Sequence, residues 1–157
     1  MEILFKKGKS RDVMACKRAD GSSTWMRKDR FMTIHDLAHF CVECELGMDK
    51  GFYGLVASGI DVTDFENKEK IRARNLPEES MVAELIVNLI LTERSDNRVI
   101  ENFNETLRAS ASQRGLSRLP SIEDQKIASI RKQLDDLLNR WTFLPVDQAM
   151  VLTFPEE

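Results

Sequence analysis

The spacing of apolar positions divides the chain into short strand-like stretches at its two ends and a long helical middle. Glu2-Ile3-Leu4-Phe5-Lys6 is a compact apolar run closed by Lys7-Gly8-Lys9-Ser10. Asp12 to Lys17 is a second run, and Ser23-Thr24-Trp25-Met26-Arg27 is a third. Asp20-Gly21 lies between the last two and is a strong hairpin signal, since these residues tolerate the positive φ of a tight turn. Gln148 to Phe154 reads as a further strand. It is expected to join the N-terminal hairpin, because two isolated strands with one apolar face are marginal in water.

Between these ends the period changes to that of helices. Thr33 followed by Asp36 is a variant of the capping box and Gly47 stands where a C′ glycine belongs, which predicts a helix over 34–46. A short helix is expected within 50–58, and a turn of helix plus loop over 61–74. Pro77-Glu78-Glu79 opens a long helix to about Arg94. Residues 97–112 are expected to continue helically, with Val99, Ile100, Phe103 and Leu107 on one side. After a loop at 113–120, Ser121 is the expected cap of a last helix. There Ile127, Ile130, Leu134, Leu137, Leu138 and Trp141 recur at helical spacing, and Pro145 closes the segment. That stripe reads as core, with a homodimer seam as the alternative. The fold class predicted is α+β: a mostly helical single domain with a small antiparallel sheet made from the N-terminal hairpin and the C-terminal strand.

Composition narrows the functional classes. With 157 residues, 42% of them hydrophobic, the chain has the length and apolar content of one compact domain. Its 26 acidic residues against 23 Lys and Arg give a net charge of −3, so no overall field attracts nucleic acid. The first thirty residues are locally basic, through Lys6, Lys7, Lys9, Arg11, Lys17, Arg18, Arg27, Lys28 and Arg30. In strands such charges belong on the solvent face, where they guard an edge against pairing. The aromatic interleaving of RNA-binding sheets is missing, so no nucleic-acid partner is expected. The most apolar run, Met81 to Leu91, is interrupted by Glu84 and Asn88 and is too short to span a membrane. An acidic second residue and no apolar leader segment, together with three cysteines rather than an even set, point to a cytoplasmic protein.

The candidate chemistry lies on the predicted helix 34–46, which carries both histidines of the sequence. At about 100° per residue, His35, His39, Glu43 and Asp36 fall at about 0°, 40°, 80° and 100°, one arc of the helix. Two His four residues apart can offer their nitrogens to one ion, the spacing that recurs in helical zinc sites. Glu43 is then a third ligand or the acceptor that fixes the His39 tautomer. Glu84 stands almost alone as a charge on an apolar helix, with Asn88 one turn on, and is the other candidate ligand if its helix packs on 34–46. Asp36 is the candidate catalytic base or an outer-shell group. Tyr53, the one tyrosine, sits in Gly51-Phe52-Tyr53-Gly54 and is a candidate to bring a hydroxyl to the site, with a buried aromatic anchor as the alternative.

The string His35-Asp36-Leu37-Ala38-His39 resembles the HExxH motif of zinc peptidases, with Asp36 where that family has its Glu base, one methylene longer. It is also similar to the His-Asp segment of HD-domain phosphohydrolases, which add an upstream His that this sequence does not have. Cys41-Val42-Glu43-Cys44 lies mid-helix, away from the helix N-terminus that lowers thiol pKa in redox pairs, so both cysteines are read as small core residues. The expectation is a divalent transition-metal site, zinc first, on an HDxxHxxxE helix, and metal-assisted hydrolysis if the protein is an enzyme. The competing reading is a non-catalytic structural or protein-interaction module, with the His-Asp-Glu strip a solvated helix face and its carboxylates in ordinary i, i+3 and i, i+4 pairs.

Overall fold

The computed structural model describes residues 1–155. Four strands form one antiparallel sheet: β1 (Glu2–Lys6), β2 (Asp12–Lys17), β3 (Ser23–Lys28) and β4 (Ala149–Thr153), in the order β3-β2-β1-β4. The C-terminal strand pairs with β1, so the two ends of the chain meet in the sheet, Phe5 opposite Met150 and Ile3 opposite Leu152. Alternation sends Ile3, Phe5, Met14, Cys16, Met26, Met150 and Leu152 to one buried face. The same period carries Asp12 and Lys28, which face each other across β2 and β3, onto that inner side. Gly21 makes the β2–β3 turn at φ +84°, a conformation glycine adopts without a Cβ clash.

Six α-helices follow or cover the sheet: α1 (Arg30–Leu46), α2 (Phe52–Ala57), α3 (Lys68–Arg74), α4 (Glu78–Asp96), α5 (Phe103–Gln113) and α6 (Asp124–Phe143). A 3-10 turn, Val62–Glu66, precedes α3. The central helix is α1, which packs against α4, α6 and the sheet and is buried along much of its length. The apolar stripe of α6 is core: Ile127, Ile130, Leu134, Leu137, Leu138 and Trp141 are all buried within the chain. Among the described residues no helix is long and apolar enough to cross a membrane.

Several boundaries differ from those the sequence predicts. Helix α1 starts at Arg30, with Asp29 as its N-cap accepting from the Met32 N–H, and Thr33 instead donates its hydroxyl to the Asp12 carboxylate. Both positions carry capping-type side chains, and the buried Asp12 claims the second. Residues 97–102 are not helical. Asn97 turns left-handed at φ +50° and ends α4, and Val99 stays exposed. Segment 61–74 is more helical than expected. Ser121 is not a cap; α6 begins at Asp124, after Ile122, whose N–H and C=O are both held by the Asn104 side chain. Two of the basic residues assigned to the solvent face are buried: Arg18, which donates to the Val56 and Ile60 carbonyls, and Lys28.

Candidate metal centre

Helix α1 presents His35 and His39 toward α4, and Glu84 of α4 meets both. Glu84 Oε1 lies 3.3 Å from His35 Nε2, and Glu84 Oε2 lies 3.0 Å from His39 Nε2. The ligating atoms of His35, His39 and Glu84 fall within 4.8 Å of one another, close enough to converge on a single ion. Asn88, one turn along α4, donates to Glu84 Oε1 at 2.9 Å and fixes the carboxylate plane. The polar stripe on α4 therefore has a buried partner as its reason: it faces the histidines.

Glu43 has a different place. Its side chain is fully buried, and Oε1 accepts from His39 Nδ1 at 2.9 Å and from the Phe52 N–H at 2.8 Å. Oε2 accepts from the Tyr53 N–H at 2.8 Å. One carboxylate thus caps the first turn of α2 and holds the His39 ring. A carboxylate so occupied only accepts, so Nδ1 of His39 carries a proton and Nε2 is the atom turned to Glu84. Of the two roles open to Glu43, the geometry matches the outer-shell acceptor and leaves Glu84 as the carboxylate at the ligand point.

Burial and charge act together on these groups. Burial disfavours the charged His39 ring, but hydrogen bonds to Glu43 and Glu84 outweigh it and raise its pKa to about 9. The two histidines, His35 foremost, hold the Glu84 carboxyl far below the usual carboxylate range. Nδ1 of His35 is buried without a hydrogen-bond partner among the described residues, which leaves Nε2 as the ring atom in use.

Asp36 is on the same side of α1 but turns to the sheet, where its Oδ2 lies 3.2 Å from Lys28 Nζ. Burial pushes its carboxyl upward in spite of that ammonium. Tyr53 is not at the ligand point. Its phenol is fully buried, donates to the Asp36 carbonyl at 3.1 Å and lies against the Met14 sulfur. This is the buried-anchor alternative, and burial raises its pKa well above the ordinary value. The strip is not a solvated face either: Asp36, His39 and Glu43 are 3%, 4% and 1% exposed. Cys41 is buried and Cys44 half-buried, and burial lifts both thiols to about 12, which keeps them protonated and unreactive.

The three converging groups lie at a cavity of about 590 Å³, the size of pockets that hold small molecules. Its other walls come from β3, the start of α1, Phe52, Phe65, Leu76 and Met81. Sequence reasoning did not single out Lys28 or these wall residues. For Lys28 the signal was available, since it shares the inner face with Met26 by strand alternation. No family model matches the chain, and neither curated proteins nor solved structures give a match to it.

Proposed function

We propose that His35, His39 and Glu84 form the binding site of one divalent transition-metal ion, zinc first, and that the protein is a metal-dependent hydrolase. The observation that carries this reading is the convergence of two imidazole Nε2 atoms from α1 and one carboxylate from α4 beside a small-molecule cavity. Two His and one carboxylate are a common donor set for catalytic zinc, which keeps a further position open. The outer shell supports it: Glu43 orients His39 and Asn88 orients Glu84, the kind of bonding that fixes ligand rings in metal sites. Bound there, the ion would polarise a substrate carbonyl and lower the pKa of water near neutral pH. Asp36 borders the same cavity with its carboxyl turned to Lys28, and in this reading it is the candidate to take a proton from reactants.

One observation favours a second, non-catalytic reading. Glu84 already satisfies both histidines without an ion, so the same triad is able to serve as a polar staple between α1 and α4. Metal content separates the two. Protein purified without a His tag or chelator is expected to carry about one equivalent of zinc or another transition metal, lost in His35→Ala/His39→Ala and in Glu84→Ala. Absence of bound metal, with no thermal shift on adding zinc, manganese or iron, would overturn the metal reading and leave the staple.

A further inference from the structure

The substrate class can be read from what surrounds the triad, and this inference rests on the metal reading above. The open surface of the cavity is mainly apolar, although polar side chains also line it. Phe52 packs against His39 with ring centroids 5.6 Å apart and meets Phe65 edge-on at 4.7 Å, so an aromatic shelf begins directly beside the ligand point. Leu76, Met81 and Phe31 continue this surface outward, and the last two remain in solvent, Phe31 at 67% exposed and Met81 at 44%. Exposed apolar side chains gathered at the mouth of a cavity are surface that an apolar ligand would cover.

The inner charges of the cavity lining are matched among themselves. Lys28, the buried cation of the wall, faces Asp36 at 3.2 Å and lies over the Phe52 ring at 5.8 Å. Glu84 is bound to both histidines. Glu66 and Arg114, of opposite sign, are the exposed charges of the lining. Among the described residues no buried cation of the lining lacks a carboxylate. A dianionic phosphate ester would have to pull Lys28 from Asp36, leaving a buried carboxylate uncompensated, which is costly.

We infer that the site takes an uncharged ester or amide whose acyl part carries an aromatic or branched apolar group, seated on Phe52, Phe65, Met81 and Phe31. In hydrolysis the acyl C–O or C–N bond breaks and a new C–O bond forms from water. One water hydrogen passes to the leaving oxygen or nitrogen, and the other stays with the carboxylic acid product; no further reactant is needed.

The experiment is calorimetric titration of the zinc-loaded full chain with three probes: acetohydroxamate, 3-phenylpropanohydroxamate and 2-phenylethylphosphonate. Zinc content is measured on the same samples. Burying a phenylethyl group should tighten binding at least about tenfold over the acetyl probe, and the phosphonate should bind more weakly than the hydroxamate bearing the same tail. Phe31→Ser and Met81→Ser change exposed residues and should reduce the phenylethyl advantage severalfold while zinc content stays the same. Zinc bound with equal affinity for the two hydroxamates, or a preference for the phosphonate, would overturn this inference and leave the metal site standing. No zinc bound would overturn both.

Discussion

His39 and Glu43 stand one turn apart on α1, with Nδ1 of the imidazole 2.9 Å from Oε1 of the carboxylate, and that oxygen also receives the first amide of α2. The pair joins a local helical spacing to a contact nine residues further on. Glu43 thereby couples the start of one helix to the orientation of a ring whose other nitrogen points at α4.

Removing that carboxylate should therefore be felt twice. Glu43→Ala leaves a charged ring and the amides of α2 without their acceptor, and is expected to cost about 3 kcal/mol or more in urea denaturation of the metal-free protein. Glu43→Gln keeps one acceptor oxygen and should fold, with zinc affinity lowered about tenfold. Gly51→Ala should imitate the alanine variant, because a Cβ at 51 would overlap the Glu43 carboxyl group. A Gly51→Ala protein as stable as the parent would show that Glu43 has room to move.

Asn88 touches the site only through Glu84. Asn88→Ala should weaken zinc binding about tenfold, by freeing the Glu84 carboxylate to rotate, with little change in Tm because Asn88 is only half-buried. A competition titration against a chromogenic chelator reads the first, and a thermal melt the second. Unchanged affinity would remove Asn88 from the outer shell.

Stability of the metal-free protein should depend on pH through His39. Its pKa in the fold, about 9, lies above the ordinary 6.5, so the folded state keeps a proton that the unfolded chain has released. That contribution is complete below about pH 6.5 and is lost as pH rises toward 9, at up to about 1.4 kcal/mol per pH unit. The buried thiols add their own loss only above the ordinary thiol range near 9, so the window from 6.5 to 8.5 separates the two. Urea midpoints of the parent should fall across it, and those of His39→Gln should fall less. Parallel curves would mean that the ring is neutral in the fold.

Tyr53 provides a check on its placement in the core. Tyr53→Phe removes one buried hydrogen bond, to the Asp36 carbonyl, and should cost about 1 kcal/mol in stability. Zinc content and affinity should not change. A large loss of either would return the phenol to the site.

Much of this was legible in the sequence because it depends on neighbours within one turn or one strand step. The alternation in 2–6, 12–17 and 23–27, the Asp20-Gly21 turn and the Gly47 stop are such features, and each stands where the local rules put it. The helical spacing of His35, His39 and Glu43 likewise places them on one arc whatever surrounds the helix. The local pattern places the cap of α1 at Thr33, four residues late, because a capping residue says nothing of what else competes for its hydroxyl. Asp29 and Thr33 are both capping residues, and only the approach of Asp12 from β2 gives the Thr33 hydroxyl another partner.

Tertiary structure decided which polar groups face one another. Glu84 reaches His35 across 49 positions of sequence because α4 crosses α1 at that height. Asp36 turns from the histidines to Lys28 because strand alternation sends that lysine under the helix. Periodicity along one element tells which residues share a face, since it reflects the fixed geometry of that element's own backbone. It carries no information on the register between elements. That register is set by packing of the apolar surfaces of α1, α4, α6 and the sheet, and with it the carboxylate that stands at the ligand point.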